Sequence, residues 1–104
     1  MALKLVKVEG ASMEPTYKAG DWLLVNFSSK PTLPKAHSVV VIEREEQPGI
    51  FYIKRISEVR ASTGLEATIF VLSENPAGTD SRTWGWLPKS SIVGRVLMRI
   101  RKKR

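Results

Sequence analysis

The chain has 104 residues, 42% apolar and 26% charged, with 17 Lys and Arg against 10 Asp and Glu and no cysteine. That length and balance suit a single domain, residues 1–104, with a core of its own, and exclude a fibrous repeat or wholesale disorder. Without cysteine there is no disulfide, thiolate metal site or cysteine nucleophile, and the single His, His37, leaves a zinc site short of ligands, so neither metal nor cofactor is expected.

The first nine residues are charged at every second or third place and lack the apolar stretch of a secretory signal, so a cytoplasmic protein is expected. A strand is predicted over residues 3–8. A turn-rich segment bounded by Gly10, Pro15 and Gly20-Asp21 follows and leads into a strand at 22–27. Pro31 and Pro34 punctuate the way to a strand at 38–43. Its Val39-Val40-Val41-Ile42 run is four residues long, and no apolar run in the chain is longer, far short of the roughly 20 that a membrane-spanning helix needs. Glu43-Arg44-Glu45-Glu46 reads as an exposed turn, and Pro48-Gly49 opens the next strand, 50–59. Thr63-Gly64 separates it from a strand at 67–72, and Asn75-Pro76-Ala77-Gly78 and Pro88 from the last, at 92–100. No window has the length and period of a helix. Six short strands spaced by turns predict an all-β fold of coiled antiparallel sheets or a partly open barrel.

The charge is concentrated at the end. Arg95, Arg99, Arg101, Lys102, Lys103 and Arg104 put six cations and no anion in the last ten residues, leaving the rest at +1. A basic tail at about 97–104 reads first as a solvated terminus, and its charge also suits peripheral contact with an anionic membrane or an acidic partner. No aromatic residue is interleaved to stack on bases, so nucleic acid is not the expected partner. Trp84 and Trp86 flank Gly85, and Trp22 begins a strand; such residues pack a core or wall a groove.

Ser12 lies on the Gly- and Pro-bounded turn between the first two strands, where a hydroxyl can project from the end of a sheet. A Ser becomes a nucleophile when a base takes its proton. His37 sits in a polar loop entrance that suits solvated surface better than catalysis. The alternative base is a Lys whose burial favours the neutral amine. In Ile50-Phe51-Tyr52-Ile53-Lys54-Arg55-Ile56, Lys54 shares strand parity with Ile50, Tyr52 and Ile56. Phe51 and Ile53 make the opposite face apolar too, so periodicity alone leaves open a Lys that reaches out to solvent.

Taken together, Gly10-x-Ser12-Met13-x-Pro15-Thr16 with Gly20-Asp21, Tyr52-Ile53-Lys54-Arg55-Ile56, Asp80-Ser81-Arg82-x-Trp84-Gly85-x-x-Pro88 and Ile92-Val93-Gly94-Arg95-Val96 resemble the type I signal peptidase family. Within it, the absence of a membrane anchor, the short spacing and the Asn75-Pro76 turn look most like the small soluble proteases that mature nickel-containing superoxide dismutase. The resemblance implies the coiled β-sheet fold shared with LexA-type repressors. It implies Ser12 as nucleophile and Lys54 as general base of a serine endopeptidase that removes an N-terminal extension from a precursor protein. It also implies an oxyanion donor at the backbone of Ser12 beside Gly10, an Asp80–Arg82 ion pair supporting the site with Ser81, and substrate pockets lined by Met13 and Ile53.

Three positions depart from the family. Gly10 stands where many members carry a Ser as second oxyanion donor, and Ser73-Glu74-Asn75 replaces a Gly-Asp-Asn box. Gly78 replaces a Ser that bonds the catalytic Lys, which implies a base held less tightly or a slow enzyme, with Thr79 and Ser81 as the substitutes on offer. The departures keep open a degenerate peptidase fold that binds peptides without turnover, and the charge keeps open a basic β-barrel that binds nucleic acid.

Overall fold

Each Val-, Ile- and aromatic-rich run becomes a strand in the computed structural model, which describes residues 2–27, 34–62 and 65–101. The strands are β1 (Leu3–Lys7), β2 (Trp22–Asn26), β3 (Val39–Glu43), β4 (Phe51–Ser62), β5 (Leu65–Leu72), β6 (Leu87–Pro88) and β7 (Ile92–Arg101). A single helical turn, α1 (Ser81–Trp84), and a 3-10 turn, Lys89–Ser91, join β5, β6 and β7. The expected turns at Pro31 and Thr63-Gly64, and residues 102–104 of the expected tail, lie outside the described residues. Residues 97–101 continue β7.

All strand pairs are antiparallel, in the order β1-β2-β7-β3-β4-β5-β6, and the sheet curls into a half-barrel, the all-β class that the strand and turn pattern predicts. Register shifts in the β2–β7, β3–β7 and β4–β5 pairs each place an extra residue on one side of a ladder. Such bulges increase local twist and bend the sheet. Sequence reading missed β6 and α1, which are two and four residues long.

The curl explains the apolar run of β3. Val40 and Ile42 join Ile56, Ile69, Val71, Leu87 and Ile92 in one core, while Val41 joins Val8, Leu23 and Val25 in a second. A strand covered on both faces has no polar side to present, so its apolar residues run consecutively instead of alternating. Ile42 has no exposed surface. Ile42→Ala is therefore expected to cost about 2–5 kcal/mol through lost transfer energy and the cavity left behind. Chemical denaturation, with the slope unchanged and the midpoint lowered, would measure it. No helix among the described residues is long and apolar enough to cross a membrane.

Candidate active site

The Ser12 turn is built where β1 and β2 stop pairing. Val8 N–H donates to the Asp21 carbonyl at 2.8 Å and Gly20 N–H to that of Val8 at 2.8 Å, closing the neck of the loop. The Gly20-Asp21 pair acquires its reason here. Buried Asp21 accepts from the backbone N–H of Lys18 at 2.9 Å and lies 3.5 Å from Arg99 of β7, which also donates to the Thr16 carbonyl. One of the six terminal cations is thus committed inside the fold. Within the loop, Glu14 N–H donates to Ala11 and Tyr17 N–H to Met13, and Met13 is buried. Gly10 has φ +75°, a conformation that costs a side-chain-bearing residue energy, so this backbone favours glycine there.

Lys54 lies in the first part of β4, paired with Val40 of β3, and is 1% exposed. Its Nζ donates to Ser73 Oγ at 2.9 Å and stands 5.6 Å from the ring of Tyr52 and 5.9 Å from that of Trp84. Burial pushes the ammonium below its ordinary value of 10.5; Asp80 opposes this in part, and Arg82 adds to it. The parity that groups Lys54 with Ile56 and Tyr52 is the parity of the first core.

The loop after β5 is held by Asp80, which is 1% exposed. Its carboxylate accepts from the backbone N–H of Ser73 at 2.8 Å and of Arg82 at 2.9 Å, and from Arg82 Nε and Nη2 at 3.0 Å each. Burial alone would raise this carboxyl, but these bonds and the guanidinium charge outweigh it and hold Asp80 below the ordinary 3.8. Arg82 reaches on to the Pro76 carbonyl at 3.0 Å. Ser81 accepts from the backbone N–H of Val71 at 3.0 Å, pinning α1 to β5.

Asn75 then ties this loop to the Ser12 turn. Its backbone N–H donates to the Ser12 carbonyl at 2.8 Å and its side-chain amide to the Ala11 carbonyl at 3.1 Å. Ser12 and Lys54 line one open cavity of about 450 Å³, together with Gly10, Tyr52, Gly78 and Thr79. A second, of about 390 Å³, is lined by Val6, Ser12, Met13, Phe51 and Ile53. The two meet at Glu9, Ser12 and Phe51, forming a trough across the serine.

The structure thus brings together Gly10, Ser12, Met13, Ile53 and Lys54 around the trough, with Asp80, Ser81 and Arg82 behind it. His37 lines neither cavity; it sits at the entrance to β3 with φ +74° and its N–H on the Ile56 carbonyl. The hydroxyl on Lys54 belongs to Ser73, not to Thr79 or Ser81 as the sequence suggested; Ser81 is engaged with Val71. Ser73 and Asn75 are the two contributors that sequence reasoning left without a role. Both stood in the altered Ser73-Glu74-Asn75 box, which was the available signal.

The sequence pattern of the family described as Signal peptidase, peptidase S26 matches residues 1–59, more than half of the chain and both Ser12 and Lys54. No curated protein matches.

Proposed function

The chain belongs to the signal peptidase family, peptidase S26, and from that premise we propose a serine endopeptidase in which Ser12 is the nucleophile and Lys54 the general base. The observation that carries this reading is a buried lysine, with its ammonium disfavoured, lining one cavity with a serine on a turn. Neutral Lys54 takes the proton of Ser12 as Oγ attacks a peptide carbonyl. The backbone N–H of Ser12 meets the developing oxyanion, and Lys54 returns the proton to the leaving amine. Water then attacks the acyl-enzyme, giving its proton to Lys54, which passes it to Ser12 Oγ as the ester bond breaks.

The substrate is a precursor protein that loses an N-terminal extension, with small side chains before the cut entering the pocket walled by Met13 and Ile53. The narrower substrate proposed is the precursor of nickel superoxide dismutase, supported by the short spacing and the Asn75-Pro76 turn. Intact mass of that precursor, followed with the parent protein and with Ser12→Ala and Lys54→Ala, tests it. Loss of a defined N-terminal peptide with the parent alone supports dyad and substrate; a mass that never changes sinks the narrower substrate, and a serine-reactive probe on Ser12 then separates a different peptidase from a peptide-binding module.

Because the working base is the neutral amine, kcat/KM is expected to rise with pH and level off, with a midpoint below 10.5. Folding stability has a matching sign. Between the lowered folded value and 10.5 the unfolded chain binds more protons at Lys54, so stability rises with pH across that window. A pH series of initial rates checks the first, and Lys54→Met, which removes the titration, checks the second.

A further inference from the structure

The hydrogen bond from Lys54 Nζ to Ser73 Oγ, 2.9 Å long, determines where the buried amine points. Ser73 directs its own proton toward the Thr79 carbonyl at 3.4 Å and so meets Lys54 with a lone pair. A neutral amine in that arrangement spends one N–H on Ser73 and keeps its lone pair for another proton. Ser73 is itself fixed, since its backbone N–H is bonded to Asp80, whose carboxylate is clamped by Arg82.

Gly78 is the complement of this arrangement. A Cβ there would press on the Ser73 hydroxyl oxygen and lie 2.8 Å from Ser73 Cβ and 2.9 Å from Ser12 Cβ, closer than real Cβ atoms approach. The volume that a side chain at 78 would fill is the volume between the serine that attacks and the serine that holds the lysine. A hydroxyl at 73 and a side chain at 78 therefore exclude one another while Ser12 stays in place.

We propose that Ser73 is the positioning residue of Lys54 and that position 78 is kept bare to admit its hydroxyl. The inference rests on the Ser12–Lys54 peptidase reading. Ser73 touches no substrate; it acts by aiming the lone pair of Lys54 at Ser12.

The test uses the full chain and a penem ester, a strained β-lactam whose carbonyl Ser12 can attack, opening the ring and passing its proton through Lys54 to the ring nitrogen. The adduct is read as a gain of the whole reagent's mass. Ser73→Ala is expected to slow acylation about 10²-fold, the scale of a misaligned reacting group. It also moves the midpoint of the pH profile downward, because the ammonium form loses an acceptor while Glu9, Tyr52, Asp80 and Arg82, the other groups around it, are unchanged. Gly78→Ser alone slows acylation by crowding Ser12. Ser73→Gly combined with Gly78→Ser is expected to acylate faster than Gly78→Ser and slower than the parent, since the contacts with Ser73 are relieved and that with Ser12 Cβ is not; should Ser73→Ala fail to fold, this pair carries the same comparison.

No adduct on the parent protein overturns the peptidase reading and this inference together. An adduct whose rate or pH midpoint Ser73→Ala leaves unchanged overturns the inference alone, as does a combined variant no faster than Gly78→Ser.

Discussion

Ser12→Ala is expected to lower kcat/KM for precursor cleavage by about 10⁴-fold or more, and Lys54→Ala by a similar factor, with the double variant no worse than either alone. The non-additivity is the diagnostic part. A nucleophile and its base act as one unit, so once either is gone the other contributes nothing further, and what remains is the oxyanion donor and substrate binding. Lys54→Arg is expected to be as inactive as Lys54→Ala, because a guanidinium stays protonated and cannot accept the proton of Ser12. Lys54→Met is expected to raise the melting temperature while abolishing activity. An apolar side chain of similar length fills the site beside the packed Tyr52 and Trp84 rings without the cost of burying an amine. Initial rates by mass spectrometry and melting curves on the same preparations check both halves; residual cleavage within tenfold of the parent in Ser12→Ala would remove Ser12 from the nucleophile's role.

That opposition between activity and stability at Lys54 also shows where sequence reasoning reached its limit. Strands are legible in β-branched and aromatic runs because those residues suit a pleated, half-buried surface, and β1, β2, β3 and β7 lie within a residue or two of where their runs place them. The burial of Lys54 was not legible. Ile53 faces the second core while Ile56 faces the first, so β4 is apolar on both faces and its pattern does not say which face holds the amine. The hydroxyl on that amine was less legible still. Lys54 and Ser73 are 19 residues apart, on β4 and in the loop after β5, and no local period links them. In the sequence, Ser73 and Gly78 look like two separate departures from a family pattern. In space they are two sides of one contact, because the atom that position 78 lacks is the atom for which Ser73 would have no room. Likewise β6 escaped notice because two residues ending in Pro88 pair with Thr68 and Ile69 through tertiary placement, not through any strand-like run of their own.

Asp80→Ala is expected to destabilise the fold by about 3 kcal/mol and to reduce activity more than its distance from the scissile bond would imply. The substitution leaves the Ser73 and Arg82 backbone N–H groups without their acceptor, at about 1–3 kcal/mol for each that stays out of water. It also releases the guanidinium that reaches the Pro76 carbonyl. The exposed Arg82 recovers hydration, so most of the loss comes from the backbone donors and not from the ion pair itself. Asp80→Asn keeps the shape and one acceptor oxygen, and is expected to fall between Asp80→Ala and the parent. The sign of the pH dependence follows from the lowered carboxyl. The stability that Asp80 contributes is complete above its unfolded value of 3.8 and is lost as pH falls through its lower folded value. Acid unfolding of the parent should therefore be steeper below 3.8 than that of Asp80→Asn, which has no proton to take up there. For catalysis the consequence runs through Ser73: with its N–H unanchored, the hydroxyl that aims Lys54 moves with the loop, so kcat is expected to fall while KM changes little. A KM increase of the same size as the kcat loss would place Asp80 in substrate binding instead.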